Sequence, residues 1–345
     1  MRHDPLPLIV GVPGISLSAD EMAVLDRLHP AGIILFSRNI KSPDQVRELV
    51  NDLQELDPRP FITVDLEGGA VNRLAGLWGT LPSPARAAAS GRRAVRALGE
   101  AAGAACRSLG IHLDFAPVVD LEIPDGLIAR QSRTLSDDPE RTAVLARVFN
   151  DGLKSWCVAG CIKHFPGLGA IPVDTHEELP TLELSASELD THLDIFGALS
   201  EDIPIVMVAH VIVPGLGDKE HPASLSRTIV ERAINLPGSP IVLSDDLEMG
   251  ALATYGDISD RVLAALKARN HGVLVCQAFD QLDMIRERIE QEISNKSTLG
   301  TRIPELSVRL GTLRRDLCRH SASEPAPDDQ TVQQLWETAR REAEP

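Results

Sequence analysis

The feature that most constrains this chain is a recurrence: eight short apolar runs, each four to eight residues long, alternate with segments patterned as amphipathic helices. The runs are Leu6–Val12, Gly32–Phe36, Phe61–Val64, His112–Val119, Gly160–His164, Ile205–Val211, Ile241–Ser244 and Gly272–Cys276. They are rich in Val, Ile and Leu and do not alternate strictly with polar residues. That pattern suits parallel strands buried on both faces. Helix-start signals lie between them. Ser18 with Glu21 forms a capping-box pattern, Ser42-Pro43 precedes Gln45, Asp138-Pro139 opens a long stretch, and Ser185 pairs with Glu188. The Ala- and Arg-rich stretch Ala85–Leu109 stops at Gly110, a helix terminator.

Eight strands alternating with helices predict an α/β fold, a single (β/α)8 barrel of the TIM type with additional C-terminal helices. An open doubly wound sheet is the runner-up. Its Gly-rich phosphate turn is missing, because Gly11-Val12-Pro13-Gly14 has a proline and the wrong spacing. Helices are expected near Gln281–Ile293, Ile303–Cys318 and Thr331–Glu342. Residues 1–320 are therefore expected to form the barrel, and 321–345 a polar linker and a C-terminal helix packed on the barrel or trailing it. The segment Ser321–Gln330 reads as a short disordered stretch.

The chain has 345 residues, 43% of them hydrophobic, enough for one large core; only 3% are aromatic, so aliphatic residues must fill it. The net charge is -16, and no run of Lys or Arg is long enough to track phosphates. A nucleic-acid partner is not expected. No segment approaches the roughly 20 apolar residues of a membrane helix. Met1–Gly14 lacks the basic and long apolar regions of a signal peptide, so a cytoplasmic location is expected. The five cysteines are scattered and odd in number, unlike a disulfide framework. Cys157 and Cys161 read as buried small hydrophobes. No exposed apolar stripe is evident, and a monomer is expected.

In a parallel barrel the active site forms at the C-terminal strand ends. The residues that follow the apolar runs are therefore the informative ones: Asp65, Glu67 and Arg73; Asp120, Arg130 and Arg133; Lys163, His164, Asp174 and His176; His210; and Asp245 with Asp246. Charged residues at five neighbouring strand ends predict a polar pocket on one rim. Asp245 leaves the barrel core and enters that pocket, where a carboxylate can serve as nucleophile, base or metal ligand. Asp246, alternating to the other side, reads as structural. Asp174 can orient His176, which then transfers protons near neutral pH. His164, His176 and His210 could in principle bind zinc. Their spacing is not a helical zinc motif, however, and Lys163 would repel a cation, so no metal is expected.

These residues fall in the segments Gly32-Ile33-Ile34-Leu35-Phe36, Asp65-Leu66-Glu67-Gly68-Gly69, Phe115-Ala116-Pro117-Val118, Lys163-His164-Phe165-Pro166-Gly167, Asp174-Thr175-His176 and Ser244-Asp245-Asp246-Leu247-Glu248-Met249. In that combination the chain resembles the single-domain bacterial β-N-acetylglucosaminidases of glycoside hydrolase family 3, the type used in peptidoglycan recycling. The resemblance implies roles. Asp245 matches the catalytic nucleophile. His176 with Asp174 matches a general acid/base dyad on a mobile loop. Asp65, Arg73, Arg133, Lys163 and His164 match residues that hold the terminal sugar, and His210 lies at the matching rim. The resemblance implies no cofactor, and a small carbohydrate as the only partner. The chain departs from the family pattern at Leu66, Ala70, Thr134-Leu135, Leu168 and Thr175.

The implied reaction is retaining removal of terminal N-acetylglucosamine from muropeptides through a glycosyl-Asp intermediate, with histidine in place of the usual second carboxylate. Alternative readings are another family 3 β-glycosidase, a sugar phosphorylase, and a non-catalytic sugar-binding barrel.

Overall fold

The protein is described from a computed structural model, which covers residues 4–175, 178–321 and 325–344. Its strands run in chain order: β1 Leu6–Gly11, β2 Pro30–Leu35, β3 Phe61–Val64, β4 Leu66–Gly68, β5 Val71–Asn72, β6 Leu113–Asp114, β7 Ala159–Gly160, β8 Ile162–Phe165, β9 Ile205–Val208, β10 Ile241–Asp246 and β11 Gly272–Val275. The main sheet is parallel, in the order β7-β6-β3-β2-β1-β11-β10-β9-β8. Its two ends, β7 and β8, are parts of a single strand interrupted at Cys161. The pairing of Val118 with Lys163 joins the ends, so the sheet closes into the eight-stranded barrel expected from the sequence. β4 and β5 form a separate antiparallel hairpin.

Strand interiors are buried throughout, which is why they read as apolar runs. Two clusters result. One lies between barrel and helices, and the other fills the barrel with Ile9, Ile34, Phe61, Phe115, Met207, Leu243 and Leu274 among others. Cys161 is buried as expected, whereas Cys157 is only half-buried.

The helix starts follow local chemistry. Ser18 caps Ala19–Leu28 and Ser185 caps Ala186–Leu199, each with a complete capping box. Ser42 and Asp138 cap Pro43–Gln54 and Pro139–Lys154, each with proline in the first turn. The Ala-rich stretch is two helices, Pro84–Ser90 and Arg92–Ser108, rather than one. Gly91 separates them at φ +103, a conformation that only glycine adopts easily.

Two helices follow the barrel's own. Ile303–Ser321 lies across the N-terminal strand ends, where Leu310 and Leu317 join the interior cluster. Asp329–Glu342 packs on Arg92–Ser108. Asp328 accepts from the Thr331 amide and starts this last helix, so Asp329 and Gln330 are helical rather than part of the expected disordered stretch, of which residues 322–324 lie outside the described residues.

Candidate active site

The C-terminal strand ends surround a cavity of about 260 Å3. Its floor is apolar, formed by Ile34, Phe115, Met207 and Leu274. Its wall carries Asp65, Glu67, Arg73, Arg133, Lys163, His164, Asp174, Asp245 and Asp246. Eight of the nine residues proposed from sequence for catalysis or sugar binding can be placed. Asp65, Arg73, Arg133, Lys163, His164, Asp174 and Asp245 line the cavity; His210 does not. His176 lies outside the described residues.

Lys163 and His164 are consecutive, yet both line the cavity. The pairing of β8 with β9 slips between Ile162 and Phe165, which breaks the alternation of a regular strand. The same device works at β10, whose pairing with β11 slips between Leu243 and Asp246. Asp246 therefore lines the cavity beside Asp245 rather than pointing away, which corrects the expectation from strict alternation.

Glu67 organises the cations. Its carboxylate, only 1% exposed, accepts from Arg133 Nε at 2.7 Å and Nη2 at 2.8 Å. It also meets Lys163 Nζ at 2.7 Å, and Lys163 reaches Asp65 at 2.8 Å. Burial alone would push Glu67 towards its neutral form, but Arg133 and Lys163 outweigh it and hold the carboxyl far below the usual range. Burial likewise opposes the charge on Lys163, and Asp65 and Glu67 outweigh it. The outcome is a fixed set of opposite charges with donors and acceptors turned to the cavity. Sequence reading gave Glu67 no role. Its signal lies within Asp65-Leu66-Glu67-Gly68-Gly69, two residues beyond the strand-end Asp65.

Asp120 supports the next side chain. It accepts from His164 Nδ1 at 2.6 Å and from the amides of Leu168 at 2.7 Å and His164 at 3.3 Å. The Nδ1 proton is thereby placed, leaving Nε2 towards the cavity, 3.5 Å from Arg133 Nη2. Burial raises the proton affinity of Asp120, but His164 and the two amides outweigh it and keep the carboxyl below its ordinary range.

Asp245 accepts from the Asp246 amide at 2.8 Å. Burial disfavours its charge, yet His164, His210, that amide and Lys163 together hold the carboxyl below the usual range, available as a carboxylate. Asp246 behaves oppositely. Burial, with Glu248 and Asp245 nearby, pushes it up to about 7 despite the Glu248 amide. His210 is buried behind the wall. Its Nδ1 meets Ser224 Oγ at 2.6 Å and its Nε2 donates to the Asp246 carbonyl at 2.8 Å. Its place is to fix the backbone at Asp246.

The loop Gly167–Thr175 closes one side. The Leu168 amide is tied to Asp120, the Ile171 carbonyl accepts from the Leu127 amide at 2.8 Å, and the Pro172 carbonyl accepts from Arg130 at 2.7 Å. The Thr175 carbonyl accepts from the Ala251 amide at 3.1 Å. These ties bring Leu168, Asp174 and Thr175 to the cavity.

The chain matches the family model for the glycosyl hydrolase family 3 N-terminal domain over residues 8–312. A β-hexosaminidase of Methylococcus capsulatus is 33% identical over 82% of this chain and 86% of its own length. A family 3 β-N-acetylglucosaminidase from Paenibacillus sp. str. FPU-7 superposes with a TM-score of 0.87 at 26% identity, covering 98% of this chain and 67% of that one. NagZ from Neisseria gonorrhoeae, solved with N-trifluoroacetyl-D-glucosamine, gives 0.80 at 26% identity over 99% and 97% of the two chains.

Proposed function

Because this chain belongs to glycosyl hydrolase family 3, we propose that it is a retaining exo-β-N-acetylglucosaminidase that removes terminal N-acetylglucosamine from peptidoglycan-derived muropeptides. The observation that carries the reading is Asp245: a carboxylate held ionised in a cavity whose opposite charges suit sugar hydroxyls. The relative and the two solved structures named above point to the same sugar class.

In the first step Asp245 attacks the anomeric carbon and forms a glycosyl ester. His176 as imidazolium gives its proton to the leaving oxygen. In the second step the neutral imidazole takes a proton from water, the water attacks the same carbon, and Asp245 leaves as carboxylate. Asp174 stabilises the imidazolium in each cycle. Support for this dyad comes from its motif and from Asp174 and Thr175 in the cavity wall. Lys163, Arg133, Asp65, Arg73 and His164 hold the hydroxyls through charge-assisted hydrogen bonds. His210 acts on the site indirectly, through the Asp246 backbone.

We assign this work to a monomer in the cytoplasm, with residues 1–320 as the catalytic unit. Among the described residues no two cysteines form a disulfide, which suits a reducing compartment. Among the described residues no helix is long and apolar enough to cross a membrane.

The test is release of 4-nitrophenol from its N-acetyl-β-D-glucosaminide. Asp245→Ala should lower turnover on the order of ten-thousand-fold or more while the fold is kept. Full activity in that variant would end the assignment. Glucoside turnover exceeding that of the N-acetylglucosaminide would redirect it to another sugar.

A further inference from the structure

Three successive backbone carbonyls, those of Trp78, Gly79 and Thr80, accept hydrogen bonds from side chains of one distant helix, Asp329–Glu342. Trp336 Nε1 donates to Gly79 at 3.2 Å, Arg340 Nε donates to Thr80 at 2.8 Å, and Arg340 Nη2 donates to Trp78. Trp336 is fully buried, with its ring centre 5.6 Å from that of Trp78. Gly79 sits at φ +85, and a Cβ there would come within 2.5 Å of Arg340. The chain is shaped to admit the guanidinium.

This segment directly follows the hairpin of β4 and β5. Asn72 Nδ2 donates to the same Gly79 carbonyl at 3.3 Å, and the Gly69 amide donates to Leu81 at 3.2 Å. The hairpin carries Glu67 and leads into Arg73, and Asp65 immediately precedes it. Its own pairing is short, Leu66 with Asn72 and Gly68 with Val71. At its base the Leu66 amide donates to Asp114. At its tip Gly69 is tied to Leu81, and at its base Asn72, opposite Leu66, is tied through Gly79 to the helix. Arg73, which follows Asn72 at the base, meets Asp65 only at 3.9 Å and stacks over Phe36 at 5.4 Å. A two-stranded ribbon this small does not hold its shape without packing.

We propose that the C-terminal helix is a positioning element of the active site: Trp336 and Arg340 hold segment 78–80 and, through it, the hairpin that presents Asp65, Glu67 and Arg73 to the sugar. The helix lies beyond the part of the chain that the family model matches, residues 8–312. The effect on sugar binding rests on the glycosidase reading above; the mechanical link does not.

The test uses the full-length chain with Trp336→Phe, which keeps the ring and removes the donor, and with Arg340→Gln and Arg340→Lys. Arg340→Gln should raise KM for the aryl N-acetylglucosaminide about five- to tenfold with kcat within about twofold. Trp336→Phe should move KM in the same direction by less, and Arg340→Lys should restore part of the loss. Hydrogen exchange should quicken in residues 65–83 and stay unchanged in 205–211. Unchanged exchange in 65–83 overturns the proposal whatever the kinetics. Faster exchange with an unchanged KM makes the helix a stability element only and overturns its role at the site. If the wild type hydrolyses no N-acetylglucosaminide, the proposed function has failed, and the exchange experiment still decides the mechanical link.

Discussion

Glu67 grips Arg133 with both carboxylate oxygens while one of them also meets Lys163. One buried anion thus sets the direction of two cations that face the cavity. Two cations this close would repel each other without it; Lys163 would keep only Asp65, and Arg133 would lose its bidentate partner. Removing one member of a buried ion pair costs more than the pair contributes, because the remaining charges stay desolvated.

Glu67→Gln should therefore lower stability by about 3–5 kcal/mol and raise KM. The pH dependence gives a sharper check. The folded value of Glu67 lies far below its ordinary 4.5. Its contribution is complete above that value and is lost as pH falls towards the folded one. In urea denaturation the gap between wild type and Glu67→Gln should narrow as pH drops from about 4.5 to 3. A gap that stays constant over that range would show that Glu67 is not held ionised.

Asp120 should matter to the sugar without touching it. In Asp120→Asn an N–H would confront the Nδ1–H of His164 or the Leu168 amide, so either the ring or the loop must turn away. The expected cost is about 1–3 kcal/mol of stability and a higher KM with a smaller change in kcat. Denaturation and steady-state kinetics on the same preparation measure both. Unaltered KM would mean that the orientation of His164 does not affect binding.

Asp246→Asn should behave oppositely to Glu67→Gln. Asp246 is raised from 3.8 to about 7. Below 3.8 folded and unfolded chains both hold the proton. Between 3.8 and about 7 only the folded chain holds it, so this group makes stability fall as pH rises, and the fall ends above about 7. The amide has no such proton. Asp246→Asn should gain on the wild type across that window in denaturation series at several pH values. Parallel curves for the two proteins would contradict the shift.

The barrel was legible because strands buried on both faces leave unbroken apolar runs, and the charges that follow those runs mark the rim. Lys163 and Asp245 are visible in that way. The β4–β5 hairpin was not, since strands of three and two residues carry no periodicity, and Glu67 went unassigned with it. The side Asp246 faces is not legible from alternation, which assumes a regular strand, because β10 slips against β11 at that point. His210 sits at a strand end, but both ring nitrogens are engaged behind the wall, a fact of packing that no run of letters records. Gly91 was readable as a helix breaker, yet the alanines around it hid the break.

The helix that lies across the N-terminal strand ends places Leu310 and Leu317 beneath the same interior that floors the cavity. The barrel is thereby stoppered at one end, and the cavity is a blind alley. On the reading proposed above, the terminal sugar enters and leaves on the side of the C-terminal strand ends.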